Sequence, residues 1–424
     1  MPNYQKKKVH RKALEGKTPV KESVPKEKKE KRAPKLKLNP PLKGTSEKVK
    51  KIELKHNTKV LAIIISVIVL TVLILGILSP VSLNESFTNA LNVIGSGSYP
   101  IEVSDSQIID GYSYGAYYYV LTDSSIRAYS NSGKEIYSAG HGFSNPCMCV
   151  SDSRALVFDQ GGKSLIVTNL SKITNSFTSD SAIITAAIAR NGTYAVATKT
   201  NGYTSKAIVY NKNNKKIYEW NCAKDYINNL AISPNGKKIA ITTVNASGGQ
   251  FVSKLYVFEC DKVNSVFSRD LNEAVPLLLC SNKKGFSLVT DSGYSFFDWS
   301  KYGEANVSND YSLGYFRQSS GNILLVFNRV SNLTDNLLVV LNSKGKKVSE
   351  FNFNGAISDI QIKGNHIYCI SETSAYLFDR AGKLLKTGKC PFGCIKLSPL
   401  GSKTVALITD NGIEKFEIDD EVAK

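Results

Sequence analysis

Histidine, the residue most often used in acid–base and metal sites, is scarce in this sequence of 424 residues. Of its four histidines, His10 and His56 lie in a lysine-rich leading segment. His141 stands between two glycines and His366 follows a Gly-Asn pair, which is typical of exposed turns. Because a zinc site needs several ligands held close together, we predict no metal site.

Cysteine is the second residue type that could do chemistry. All eight cysteines follow residue 146: Cys147, Cys149, Cys222, Cys260, Cys280, Cys369, Cys390 and Cys394. Cys390 and Cys394 flank a Pro-Phe-Gly turn and form the candidate disulfide, while the remaining connectivity stays open. No Cys-x-x-Cys pair occurs, which disfavours a zinc ribbon or a thioredoxin-like site. Four are predicted to be small apolar strand residues: Cys149, Cys260, Cys280 and Cys369.

Tyrosine is concentrated near the start of the large domain, at Tyr112, Tyr114, Tyr117, Tyr118 and Tyr119. Exposed rows of tyrosine bind glycans or peptides. Alternating positions of a strand are more often half-buried, so we interpret these residues as part of a sheet. We therefore predict no catalytic residue and no cofactor-binding residue.

The basic charge of the chain is confined to its first segment. Residues 1–59 carry 20 Lys and Arg against 6 Asp and Glu, whereas the other 365 residues carry 34 against 30. With almost no aromatic residues, residues 1–59 are predicted to be a disordered tail whose lysines attract anionic lipid headgroups. The large domain is nearly neutral, so we predict no nucleic-acid partner.

Residues 60–79 are predicted to be a transmembrane helix. No charged residue lies between Val60 and Leu78, and the run is nearly all Leu, Ile and Val, long enough to cross the roughly 30 Å hydrocarbon core. A cleaved signal peptide is disfavoured by the long preceding segment and by the absence of a cleavage pattern. Lysines cluster before this run, and the first basic residue after it is Arg127. The prediction is a single-pass plasma-membrane protein, N-terminus cytoplasmic, C-terminal domain extracellular.

Short strands and turns recur after a linker at residues 80–98, in which residues 84–93 could form helical turns. One recurrent piece is a Gly-bearing turn between two apolar strands, at residues 188–196, 232–241, 317–324 and 397–407. A second piece is an Asp-bearing hairpin, at residues 121–126, 289–294 and 408–413. A third closes each unit with a turn that ends in Gly-Lys or Asn-Lys, at residues 129–134, 210–215, 341–346 and 378–383.

Three hairpins in each unit of roughly 40 residues imply four antiparallel strands per unit. Such sheets repeated around an axis make an all-β propeller, predicted over residues 99–420. Units begin near Asp105, Pro146, Ala182, Ile227, Val275, Ser312, Ala356 and Gly393. Eight blades are predicted, and seven is the alternative. The eighth unit lacks an outer strand, which residues 99–103 could supply to close the ring.

The repeats resemble those of known propellers. The turn Ser-Pro-Asn-Gly-Lys at residues 233–237 resembles WD40-like and TolB-like repeats, and the Gly-Lys closures resemble quinoprotein-type repeats. The whole arrangement is similar to uncharacterised membrane-anchored propeller proteins of Gram-positive bacteria, a domain of unknown function. Residues 291–296 approach the sialidase Asp-box, with Val289 and Phe296 replacing its Ser and Trp. That box is a structural turn in its family, so no catalytic residue follows from the resemblance.

The function that these features favour is a non-enzymatic binding or scaffold module held at the cell envelope. Its expected partners are the lipid bilayer and an envelope or extracellular protein or glycan. One alternative is a glycan-active or quinone-dependent propeller enzyme, although Trp220 and Trp299 alone would have to form the platform on which propeller quinoproteins stack their cofactor. Another is a transmembrane sensor that signals through the basic tail.

Overall fold

The computed structural model describes residues 61, 63–67, 70–71, 83–103, 105–282, 284–298, 301–319, 322–391, 393–409 and 412–421. The chain divides into two compact units, residues 1–70 and residues 71–424. No helix within the described ranges is long and apolar enough to cross a membrane. The predicted span at residues 60–79 lies largely outside them, and its described residues are helical and exposed. The predicted tail, residues 1–59, lies outside them entirely.

One helix, α1, precedes the strands and covers Leu83–Val93. Blade 1 contains β2 Ile108–Tyr114, β3 Tyr117–Thr122, β4 Ser125–Ser130 and β5 Glu135–Gly140. Blade 2 contains β6 Pro146–Ser151, β7 Arg154–Asp159, β8 Ser164–Thr168 and β9 Ile173–Thr178. Blade 3 contains β10 Ile183–Ile188, β11 Tyr194–Thr198, β12 Ser205–Tyr210 and β13 Lys216–Cys222. Blade 4 contains β14 Tyr226–Ile232, β15 Lys238–Ser247, β16 Gln250–Glu259 and β17 Ser265–Asp270.

The second half of the ring repeats the same order. Blade 5 contains β18 Pro276–Asn282, β19 Gly285–Thr290, β20 Gly293–Phe297 and β21 Tyr302–Asn306. Blade 6 contains β22 Tyr311–Ser319, β23 Asn322–Arg329, β24 Asn332–Leu341 and β25 Lys347–Asn354. Blade 7 contains β26 Asp359–Lys363, β27 His366–Ile370, β28 Ser374–Asp379 and β29 Leu384–Lys389. Blade 8 contains β30 Cys394–Pro399, β31 Thr404–Thr409 and β32 Gly412–Glu417.

The two chain ends complete the ring. Strand β1, Ile101–Glu102, pairs antiparallel with β32 and becomes the outer strand of blade 8. The predicted closure by residues 99–103 is therefore confirmed, as is the prediction of eight blades. Strand β33, Asp420–Glu421, was not predicted; it pairs with β29 and adds a fifth strand to the outside of blade 7.

The core is divided among the blade interfaces. Eight clusters of buried apolar side chains each join two neighbouring blades, and the last joins blade 8 to blade 1. Inner strands are sandwiched between two blades, so the second strand of blade 1 is buried along its whole length. Outer strands alternate half-buried and exposed residues, as in β25. Each fully buried Leu, Ile or Phe contributes about 1.5–3 kcal/mol.

Turn chemistry sets where each strand ends. In the closing turn of blade 6, the side-chain oxygen of Asn342 accepts the backbone N–H groups of Lys344 and Lys346, at 2.9 and 3.2 Å. Gly345 in this turn has φ +71°, and a Cβ there would lie 2.3 Å from the ring of Phe296. Only glycine suits both the conformation and the space. The recurrent Gly-Lys motif is thus a consequence of blade packing.

Candidate functional site

The turns of a propeller lie on two opposite faces, and here those faces carry opposite charge. We call basic face the turns that join first to second and third to fourth strands. It carries fourteen described Lys and Arg against three Asp, a net charge of +11. The basic residues are Lys134, Lys172, Arg190, Lys212, Lys215, Lys237, Lys262, Lys284, Lys301, Lys344, Lys346, Arg380, Lys383 and Lys403.

The remaining turns join second to third strands and connect successive blades, and we call them the acidic face. Their described residues include eight Asp and Glu against Lys163, Lys199 and Lys224, a net charge of −5. The acidic residues are Asp105, Asp123, Asp180, Asp225, Glu273, Asp291, Asp310 and Glu372. The near-neutral total of the large domain conceals this separation of charge.

Two hairpins project from the acidic face, on blades 4 and 6. The β15–β16 hairpin extends three residues beyond Val244, the last residue of β15 that pairs with β14. Phe251 lies near its tip and is 57% exposed. The β23–β24 hairpin ends at Val330 and Leu333, which are 62% and 67% exposed. Contiguous exposed apolar surface marks interaction sites in folded proteins, so the two hairpin tips are candidate contact surfaces.

Partly buried polar groups brace both hairpins. On blade 4, Asn245 donates to a carboxylate oxygen of Asp225 at 3.1 Å. On blade 6, the Arg329 guanidinium donates to Asp335 at 2.5 Å and to the hydroxyl of Tyr311 at 2.9 Å. Fixed hairpins present their apolar tips without a large loss of conformational entropy on binding.

A cleft of about 420 Å³ opens between blades 3 and 4 on the acidic face. Tyr203 and Tyr226 line it and are 48% and 56% exposed. Lys199 lies on the same wall. Paired exposed tyrosines are typical of protein and glycan contact sites.

The first strand of each blade faces the central channel of the propeller, and these strands share an irregularity at the end near the acidic face. Six of the eight carry a β-bulge close to their first residues, at Ile109, Ile184, Asn228, Leu277, Gly314 and Ile395. Bulges widen the twist and redirect side chains at the rims of closed sheets. Four of the six residues are Ile or Leu, so this mouth of the channel is bordered by apolar side chains.

Polar side chains cross the axis near the basic face. The hydroxyl of Tyr112 in blade 1 donates to the carbonyl of Gln318 in blade 6 at 3.0 Å. The amide of Gln318 in turn donates to the carbonyl of Ser281 in blade 5 at 2.7 Å. Burial raises the pKa of Tyr112 to about 12, so its hydroxyl stays protonated and able to donate. The channel is therefore interrupted at this level.

A fully buried carboxylate lies beside this crossing. Asp359 forms an ion pair with Arg317, and its second oxygen accepts the backbone N–H of Leu397 at 3.0 Å and the amide of Gln361 at 3.3 Å. A buried charge is tolerated only when it is paired and hydrogen-bonded in this way. The pair ties blades 6, 7 and 8 together, because Arg317, Asp359 and the backbone of Leu397 each belong to a different blade.

Lys363 closes the basic-face end of the channel. Its ammonium donates to the carbonyls of Gly115 at 2.9 Å and Pro399 at 2.8 Å, and burial lowers its pKa. Around it, a cavity of about 50 Å³ is lined by Tyr112, Gln318 and Gln361 among others. That volume holds a few water molecules at most.

The candidate disulfide residues are neighbours. Cys390 lies in the loop that enters blade 8, and Cys394 is the first residue of β30. Both are thiols, and that of Cys394 donates to the carbonyl of Pro391 at 3.2 Å. The interaction between the two sulfurs raises the pKa of Cys390, as burial does too, and lowers the pKa of Cys394. A disulfide between them stays a prediction. Of the four cysteines expected in strands, Cys260 instead follows the end of β16, although it packs against the apolar cluster between blades 3 and 4.

The other residues singled out from the sequence have structural roles. His141 lies in the loop between blades 1 and 2, bonds the carbonyl of Thr122 and stacks on Phe143. Asp291 of the Asp-box-like turn accepts the N–H of Val275 at 2.9 Å, as Asp123 does from Gln107 in blade 1. Both carboxylates hold the preceding blade connection, which confirms the interpretation as a repeat turn.

The tyrosine cluster is confirmed as part of blade 1. Tyr117, Tyr118 and Tyr119 are at most 7% exposed. His366 is the first residue of β27 and packs edge-on against Tyr368, so it belongs to a strand and not to the turn itself. Within the described ranges, no three His, Cys, Asp or Glu side chains converge as metal ligands.

These features define an eight-bladed β-propeller with oppositely charged faces. Residues 94–418 match a family of unknown function, DUF5711, and the chain belongs to that family. No curated protein matches its sequence.

Among solved structures, the chain is similar to the C-terminal WD40 domain of Sif2, with 10% identity, a TM-score of 0.52, and coverage of 78% of this chain and 100% of that chain. It is also similar to BamB from Moraxella catarrhalis, with 11% identity, a TM-score of 0.44, and coverage of 74% and 98%. Apo AztD from Citrobacter koseri shows 11% identity, a TM-score of 0.46, and coverage of 75% and 90%. At such low identity, the similarity to Sif2 shows the fold alone.

Proposed function

We propose that this chain is a single-pass membrane protein, N-terminus in the cytoplasm, whose propeller stands outside the cell and binds an envelope protein through its acidic face without catalysing a reaction. The uncharged run from Val60 to Leu78 and the lysines before it support the anchoring and the orientation. Those of its residues that are described are helical and expose apolar side chains.

The observation that carries the binding role is the pair of braced hairpins. Phe251 on blade 4 and Leu333 on blade 6 are both more than half exposed, and blade 5 lies between them. Protein interfaces centre on a few apolar or aromatic anchors surrounded by a charged rim. The acidic turns around these hairpins would suit a partner whose rim is basic.

A non-enzymatic role draws support from the channel. Several of its polar groups bond to each other: Tyr112 donates to Gln318, and Asp359 accepts from Arg317 and Leu397. In addition, Trp220 stacks against Tyr256 and Phe258 between blades 3 and 4, away from the axis where a quinone would sit. Trp299 lies outside the described residues.

The test is capture of the partner from intact envelopes. The double variant Phe251→Ser, Leu333→Ser is expected to lower the amount of cross-linked partner at least tenfold. The matched control is Val263→Ser, Val348→Ser, which removes exposed valines of the same two blades near the basic face. Equal loss in both variants, or capture of a glycan in place of a protein, would overturn the proposal.

Two further arms test the topology and the sensor alternative. Protease added to intact cells should digest the propeller and leave residues 1–59 protected. Deletion of residues 1–50 should leave capture and phenotype unchanged, because binding resides in the outer domain. A phenotype that depends on the tail while capture persists would favour the sensor.

A further inference from the structure

Helix α1 is fastened to the basic face. The ammonium of Lys134 donates to the carbonyls of Asn92 at 3.2 Å and Ile94 at 2.8 Å, just after the last turn of the helix. Asn92 donates to the carbonyl of Leu170 at 3.2 Å in the closing turn of blade 2. The chain therefore enters the propeller from the side that carries a net charge of +11.

The sequence leaves little chain between α1 and the proposed span. The apolar run ends at residue 79 and α1 begins at Leu83. Four residues extend at most about 14 Å. If residues 60–79 cross the bilayer, as proposed above, the start of α1 must lie within that distance of the headgroups.

A polar cleft of about 510 Å³ lies beside α1, between the helix and the turns of blades 2 and 3. Exposed Lys172 and Lys212 line it, together with buried Arg154 and Asn89 of α1. Asn89 is 9% exposed, and its buried side-chain oxygen has no hydrogen-bond partner among the residues that the structure describes. Leaving an acceptor buried and unpaired is costly, so it marks a place for a donor from a ligand.

We infer that the basic face binds the glycerophosphate headgroups of anionic lipids in the outer leaflet, with the cleft beside α1 as the specific subsite. Lys172 and Lys212 pair with the phosphate, and Asn89 accepts a hydrogen bond from a glycerol hydroxyl. The other lysines of this face add the long-range attraction of a cationic surface for an anionic membrane. This inference rests on the proposed membrane anchoring but not on the protein partner.

A soluble polymer of polyol phosphate offers the same chemistry as a headgroup. The short chain between the span and α1 favours the lipid, because it holds the basic face within reach of the bilayer whether or not a polymer is present. The two sources are separated by experiment.

The full-length chain is reconstituted in nanodiscs of phosphatidylcholine, with or without phosphatidylglycerol, and its lysines are modified with a water-soluble amine reagent. Modification of Lys172, Lys212 and Lys344 should slow at least threefold in the anionic discs. Modification of Lys163 and Lys224 on the acidic face should not change. These two lysines serve as the internal control, since they occupy the same kinds of exposed turns.

The variant Lys172→Glu, Lys212→Glu should abolish the difference between the two discs, and Asn89→Leu should reduce it at Lys172 without changing it at Lys344. Equal modification rates in both discs would overturn the inference. Protection in neutral discs on adding soluble polyglycerol phosphate, with none from phosphatidylglycerol, would overturn it in favour of the polymer. Partner capture by the acidic face is measured separately, so either proposal can fail alone.

Discussion

The two faces of the propeller are built from the same kind of turn and differ in what those turns carry. On the basic face, many of the turns end in Lys, and neighbouring turns are tied together across blades, as where Asn191 donates to the carbonyl of Asn235 at 2.8 Å. On the acidic face, two hairpins grow outward and expose Phe251 and Leu333. One face is flat and charged, and the other is uneven and apolar at its tips.

The difference shows how one repeat can supply two surfaces. Blade packing fixes the strands and leaves only the turns free to vary, and alternate turns along the chain belong to opposite faces. A bias toward Asp in one turn type and Lys in the next therefore polarises the whole ring at no cost to its core. The faces are then suited to different partners.

The largest effect should come from breaking the buried Arg317–Asp359 ion pair, which lies between the two faces. In Asp359→Ala, Arg317 loses its buried partner and Leu397 loses its acceptor. An uncompensated buried charge costs about 3–5 kcal/mol, so the urea midpoint should fall steeply. The double variant Arg317→Met, Asp359→Leu removes both charges and should lose only about 1–3 kcal/mol, for the unpaired N–H. A double variant as unstable as the single one would contradict the role given to the ion pair.

A smaller effect on the free energy of unfolding should distinguish two glycines of blade 8, one at the ring closure and one in a basic-face turn. A Cβ on Gly412, where the closing strand pairs, would lie 2.4 Å from the carbonyl oxygen of Ile101. Gly412→Ala should therefore loosen the ring closure and cost about 1–3 kcal/mol. Gly401 lies in a basic-face turn of the same blade, and a Cβ there meets nothing closer than 3.7 Å. Gly401→Ala should change the free energy of unfolding, measured by urea titration, by less than about 0.5 kcal/mol. Equal losses in the two variants would mean that ring closure does not limit stability.

The fold was predictable from the sequence because its repeats are written in turn residues. The Asp at positions 123 and 291 and the Gly-Lys pairs ending at 134 and 346 fixed the number of strands in each blade, and all are turns in the structure. The same two motifs also contained the charge separation, since one always carries Asp and the other Lys. The total charge of the chain conceals this separation, because the Asp of one turn type and the Lys of the next cancel in the sum.

Other features had no local signal. The crossing of the axis by Tyr112 joins residues 206 positions apart, and the Arg317–Asp359 pair joins two blades. Such contacts depend on how inner strands face one another across the channel, which periodicity along one strand does not report. The hairpins of blades 4 and 6 are exposed because the strands beside them are shorter, and no pattern within one hairpin reports that difference.

A charge-matched comparison sharpens the contrast between the faces. One double variant, Lys344→Glu with Lys346→Glu, changes the basic face. A second double variant, Lys163→Glu with Lys224→Glu, changes the net charge by the same amount on the acidic face. If the faces act as separate surfaces, the first variant should elute from a sulfonate resin at clearly lower salt than the second. Both should keep their stability within about 0.5 kcal/mol. Identical elution would mean that only total charge matters.

The smallest expected effect concerns a carboxylate at the edge of the basic face, between two of its lysines. Glu259, the last residue of β16, hydrogen-bonds to Lys238 and to Lys262 at 2.6 Å, and these cations lower its pKa to about 2. A carboxyl with a depressed pKa stabilises the fold above its unfolded pKa of about 4.3, and this contribution disappears as the pH falls through its folded value. In Glu259→Gln, the Tm should therefore lie below that of the wild type at pH 5–7, by an amount that shrinks toward zero near pH 2. The control variant Glu273→Gln removes a carboxylate of the acidic face, and a matching loss there would show that the lysines do not distinguish the two faces.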